Sequence, residues 1–162
     1  NGAVWMPYQW MFFKSALDAG LADFAYRIAD TALTLWQNEC AESYCCFEHF
    51  MIESRRGAGW HQFSGLSSPI VQWFSAYYRP GTLTTGFDAF VRHTDWAPDN
   101  SALNATLDFT AAGRSTVLAV LQPGPKAVTA SVPCTVTTRH DGLLELTFAL
   151  DAPCTVTISI HP

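Results

Sequence analysis

The 162 residues are 49% hydrophobic and carry a formal net charge of −5 with a pI near 5.4. That is enough apolar mass for a globular core, and too acidic a balance for a surface that meets nucleic acid or an anionic membrane. Charged residues make up 14% and aromatics another 14%, against about 25% charged in an ordinary soluble domain, which leaves an unusual share of the surface suited to a ligand or a partner.

In chain order, the first half reads as helical. Pro7 to Ala19 predicts a helix with proline in its first turn and Gly20 as its stop. From Leu21 to Trp36, the residues Leu21, Phe24, Ala25, Ile28, Ala32 and Leu35 recur at steps of three and four, while Asp23, Arg27 and Asp30 face the other way, the pattern of one amphipathic helix. Ser68-Pro69 opens a third helix that runs to Tyr78 and is broken by Arg79-Pro80-Gly81. The stretch between the second and third helices is expected to be a loop carrying Glu48, with Glu53, Arg55 and Arg56 as a solvated charge cluster.

Beyond Gly81 the period changes to two. Leu103, Ala105, Leu107 and Phe109 alternate with polar residues, as do Leu144, Leu146, Phe148 and Leu150, and then Val156, Ile158 and Ile160. With Asp141-Gly142 as a hairpin turn and Pro123-Gly124-Pro125 as a loop, this predicts antiparallel strands in a small sandwich of about six to eight strands. The fold class expected is therefore multidomain α plus β. Residues 1–80 would form a partial α/α toroid of about three helices, and residues 81–162 a linker and a small antiparallel β-sandwich.

Three helices carrying Trp5, Trp10, Phe12, Phe13, Phe24, Trp36, Trp73 and Phe74 hold more apolar surface than so small a bundle covers. The chain also starts without an initiator Met or a signal-like segment. It is accordingly expected to be a fragment whose partner is the missing N-terminal part of the same polypeptide. No apolar run is long enough to span a bilayer, so no membrane partner is expected. Localisation stays open, a secreted or periplasmic site being admitted.

The five cysteines form no decisive pattern. Cys40, Cys45 and Cys46 with His49 lack a second Cys-x-x-Cys, so free thiols are expected rather than a metal site. Cys134 and Cys154 lie in two strand-like segments and are candidates to face one another. Phosphate-cradling glycine loops, dinucleotide fingerprints and a Gly-x-Ser-x-Gly elbow are missing from the sequence, so no cofactor and no serine hydrolase are expected.

The residues that carry chemistry sit in the first half. Gly2-Ala3-Val4-Trp5-Met6-Pro7-Tyr8-Gln9-Trp10 enters a helix; Phe47-Glu48-His49-Phe50 follows the next; a glycine-rich segment then reaches Gly59-Trp60-His61-Gln62-Phe63. Over roughly residues 2 to 78 this order resembles the last part of the catalytic toroid of inverting glycoside hydrolases of the trehalase and processing α-glucosidase type, built from six α-hairpins and often followed by a β-sandwich. Trp5, Pro7, Gln9 and Trp10 match one motif of those enzymes, and Glu48 with Phe50 the other. The chain departs from them in having Gly65 where a Trp is usual and Phe50 where a Tyr is common.

The resemblance implies that Glu48 is the catalytic base. Inverting hydrolysis pairs an acid that protonates the leaving oxygen with a carboxylate that activates water, the two about 6.5–9.5 Å apart. The acid would lie upstream, so this chain alone would not turn over substrate. Trp5, Gln9, Trp10, Trp60 and His61 are the candidate contacts to an oligosaccharide of α-linked glucose or a related sugar, and Phe47, Phe50 and Trp60 would wall the site. His49 reads as a neighbouring loop histidine, and Glu42 as the competing base. A noncatalytic carbohydrate-binding or structural module is the alternative, while a phosphorylase of the same toroid type is opposed by Glu48 itself.

Overall fold

The computed structural model describes residues 2–162, apart from the side chains of Ser64 and Leu66. The protein is mixed α plus β. In chain order the elements are β1 (Ala3–Val4), α1 (Met6–Asp18), α2 (Ala22–Ser43), β2 (Phe47–Met51), β3 (Gly57–His61), α3 (Ser64–Ser67), α4 (Pro69–Tyr78), β4 (Thr82–Thr84), β5 (Ala89–Trp96), β6 (Leu103–Phe109), β7 (Gly113–Val120), β8 (Ala127–Ala130), β9 (Cys134–His140), β10 (Leu143–Leu150) and β11 (Cys154–His161). They form two compact units. One holds residues up to Phe13 with Asp23–Phe74, and the other Lys14–Ala22 with Ser75–Pro162. Segment 14–22 of the helical half thus groups with the sheets.

Helix α1 ends as its sequence suggests. Gly20 takes φ +68°, and Leu21 N–H reaches back to Ala16 O while Gly20 N–H bonds Leu17 O, the paired closure of a left-handed cap. A side chain at position 20 would also meet Arg114 Cβ at 2.7 Å. Helix α2 runs seven residues past Trp36, to Ser43, and stops at Tyr44 in the left-handed region, φ 53°. A non-glycine residue rarely holds that conformation, so no stop signal is visible in the sequence there. Its buried stripe is Ala25, Ala29, Ala32 and Glu39, whereas Leu21 and Phe24 are exposed. Small alanines, not Leu21 and Phe24, take the buried positions.

The stretch carrying Glu48 is not a loop. β2 and β3 form an antiparallel hairpin, and β1 adds a third strand through Ala3 opposite Met51 and Val4 opposite Phe50. Its turn is closed by Met51 N–H to Arg56 O and Arg55 N–H to Met51 O, with Arg55 at φ 56°. Two glycines make the close approach possible. A side chain at Gly57 would run into the Phe47 ring, and one at Gly59, φ +79°, into the Glu48 carboxylate.

The second unit contains two four-stranded antiparallel sheets of order β4-β7-β10-β9 and β5-β6-β11-β8. Leu103, Ala105, Leu107 and Phe109 of β6, Val156, Ile158 and Ile160 of β11, and Leu144, Leu146, Phe148 and Leu150 of β10 point into one shared core, as the period of two requires. Gly142 at φ +91° makes the β9–β10 turn, where the Asp141 carboxylate accepts the Gly124 N–H at 2.8 Å. On the other face of β10, Leu143 and Glu145 are buried, Thr147 is half-buried and Ala149 is exposed. There Glu145, only 3% exposed, is ion-paired with Arg139 of β9. Asp18 ties α1 to the β4–β5 loop by accepting Phe87 N–H at 2.7 Å and Asp88 N–H at 3.0 Å, and Lys14 Nζ donates to Thr85 O. Cys134 lies opposite Phe148 in one sheet and Cys154 opposite Phe109 in the other; both are free thiols against the core, not a disulfide.

Candidate functional site

The β2–β3 hairpin is irregular at one point. Phe47 is opposite His61 and His49 is opposite Ala58, so the register shifts across Glu48. Such a bulge turns a side chain out of the ladder and re-aims it. The half-buried Glu48 carboxylate lies against the bare backbone of Gly59 and accepts the Trp60 N–H at 3.2 Å. The Gly59 contact explains why the segment is glycine-rich: a Cβ there would also stand 2.9 Å from His49 Cε1.

Aromatic residues neighbour Glu48 along the hairpin. The His49 ring stacks on Trp5 at 5.1 Å and 28°, and its Nδ1 is buried with no hydrogen-bond partner among the described residues. Trp60 is 71% exposed and meets Phe63 edge-on at 5.8 Å. His61, also exposed, closes the strand opposite Phe47. Glu48, Trp60 and His61 therefore share one hairpin, with Trp5 joined to it through His49. The other two sugar-contact candidates lie elsewhere. The Trp10 ring packs against Phe13 at 5.1 Å and Trp73 at 6.1 Å. Gln9 lines a cleft of about 280 Å3 with Val4, Phe24, Arg27 and Thr31. That cleft shares Val4, Thr31 and Leu35 with a groove of about 560 Å3 along α2, whose far wall is Phe50, Met51 and Ile52 of the hairpin and its turn.

The hairpin is held from behind by a group that sequence reasoning passed over. Glu39 of α2, 3% exposed, accepts Arg56 Nε at 2.8 Å, Arg56 Nη2 at 3.1 Å and the Gly57 N–H at 2.7 Å. Arg56 Nη1 reaches Glu42 at 2.6 Å. Arg56, half exposed, is thus the clamp between α2 and the hairpin, and Glu42, the competing base, is ion-paired with it at the surface. The Arg56 hydrogen bonds outweigh burial and hold the Glu39 carboxyl at about 2. A signal was present: Glu39 falls seven residues after Ala32, on the inner stripe of α2. Ser67 Oγ donates to Phe47 O at 2.9 Å on the far side.

Cys40 Sγ donates to Cys45 O at 3.5 Å, and burial pushes the Cys40 thiol up. No group of three or more His, Cys, Asp or Glu side chains suited to a metal occurs among the described residues, and no helix among them is long and apolar enough to cross a membrane. No protein family, no curated protein and no solved structure matches this chain.

Proposed function

We propose that this chain is the closing part of an inverting glycoside hydrolase that acts on α-linked glucosides or related oligosaccharides, with Glu48 as general base. In this reading α1, α2 and α4 are an arc of an α/α toroid, and the two four-stranded sheets are its β-sandwich. The observation that carries it is the Glu48 carboxylate, re-aimed by a register shift, oriented by the Trp60 N–H and set on a glycine beside an exposed indole. A base needs a fixed orientation towards its water and an open side for the ligand, and sugar rings stack on aromatic faces. Trp60 and His61 offer the exposed face, and Trp5 acts through His49. Tyr8, Met11 and Phe12 of α1 and Val71 and Phe74 of α4 are exposed, which fits helices that pack against further toroid helices. The general acid then comes from polypeptide outside residues 1–162.

The test is Glu48→Gln in the polypeptide that also carries the acid. The substitution keeps the shape and the Trp60 hydrogen bond while removing the base, and kcat for an α-linked glucoside should fall about 10²–10⁴-fold with little change in KM. Undiminished turnover in a folded variant removes Glu48 from the role of base, and absence of turnover in the parent polypeptide favours the noncatalytic carbohydrate-binding module.

A further inference from the structure

The outer face of the β5-β6-β11-β8 sheet holds a cleft of about 410 Å3. Two rows of side chains cross it. His93, Thr106 and Thr157 stand in register in one row, and Asn104, Ser159 and Thr129 in the other. All lie outward because the alternate positions of β6 and β11 fill the core. Three side chains on strands about 4.8 Å apart make each row roughly 10 Å wide, the span of a short oligosaccharide.

Both ends of the cleft are built by departures from regular pairing. On β5 the register slips between Val91 and His93. On the other side β8 lasts four residues, and Ser131 takes over the ladder: its Oγ accepts the Thr157 N–H at 3.0 Å while its own N–H bonds Thr157 O at 3.0 Å. The floor is then sheet backbone, and the walls are hydroxyls, one amide and one imidazole. Ser159 Oγ is held between Asn104 Oδ1 and His161 Nε2, each at 2.6 Å.

The chemistry of these walls selects a ligand class. Hydroxyls and amides both donate and accept, and the lining contains no Lys, Arg, Asp or Glu. Asp95, in register with Asn104, puts a carboxylate beside the rim, which accepts from hydroxyls and repels anions. Arg92 and Asp108, further along the face, are ion-paired with each other. Phe90, 58% exposed and opposite Asp108, adds an aromatic face at the same end. We propose that this cleft is a binding site for a neutral oligosaccharide, separate from the Glu48 hairpin and independent of the role assigned to Glu48.

The experiment is amide-resolved NMR of the 162-residue chain titrated with maltoheptaose, cellohexaose or inorganic phosphate. At least one of the two oligosaccharides should shift Thr106, Thr129, Thr157 and Ser159 saturably at millimolar concentration, and phosphate should not. Asn104→Ala with Thr157→Ala, both at exposed positions, should weaken that binding at least fivefold with spectral dispersion retained, and Glu48→Gln should leave it unchanged. The proposal is overturned if neither sugar shifts these residues, if phosphate shifts them as strongly, or if the folded double variant binds like its parent. Loss of turnover or its retention in Glu48→Gln bears on the hairpin alone, so the two assignments fail separately.

Discussion

Replacing Glu39 with Gln removes a buried charge while preserving its shape, and the structure sets the size of the effect. The carboxyl is held at about 2 against an ordinary 4.5, and at about 1.36 kcal/mol per pKa unit the full shift corresponds to about 3 kcal/mol. The Arg56 side chain is half exposed, so solvent screens the pair, and about 1–2 kcal/mol is expected at pH 7. Because the folded pKa is depressed, this stabilisation is fully present above pH 4.5 and is lost as pH falls towards 2. Urea unfolding followed by tryptophan emission reads it directly, since Trp5, Trp10, Trp36, Trp60 and Trp73 lie in the unit that contains Glu39. The Gly57 amide, freed from its charged acceptor, should also exchange faster. Variant and parent curves should converge between pH 4.5 and 2. A constant offset across that range, or equal stability at pH 7, refutes the reasoning.

Gly59→Ala should cost about 1–2 kcal/mol for its left-handed backbone and displace the Glu48 carboxylate, seen as a shifted Trp60 amide; an unchanged Trp60 resonance would contradict the close approach. Asp18→Ala removes the acceptor of two N–H groups and should destabilise the sheet unit by about 1–2 kcal/mol, with faster exchange at Phe87 and Asp88 as the direct readout. Phe148→Ala, at the centre of the shared core, should cost about 3–5 kcal/mol by chemical denaturation. Cys40 and Cys134, whose thiols burial pushes up, should be alkylated by iodoacetamide at pH 8 more slowly than glutathione, and intact mass without reductant should show five thiols.

Where one face of an element is buried and the other wet, its periodicity was readable in advance. β6, β10 and β11 alternate because each has an inward row, and α1 announces itself through Pro7 and Gly20. The β2–β3 hairpin was not legible, because five-residue strands broken by a bulge at Glu48 show no clean alternation. The end of α2 was hidden because Tyr44 adopts a backbone conformation usually left to glycine. At the candidate site, the residues around Glu48 stood out by composition, while the Glu39–Arg56 clamp joins positions 17 apart, a separation that no local period reports. Trp10 is a candidate sugar contact only through the motif it shares with Gln9, and its ring packs against Phe13 and Trp73.

Helix α1 gives its first turns to one compact unit and its last turn to the other. A protein starting at residue 81 would carry all eight long-range strands yet leave the Phe87 and Asp88 amides without Asp18 and the Thr85 carbonyl without Lys14. The sheets are therefore not a cassette that recombination or a protease could lift out with a single cut. Grafting them onto another scaffold requires bringing residues 14–22 along, as a separate strip or through a permuted chain.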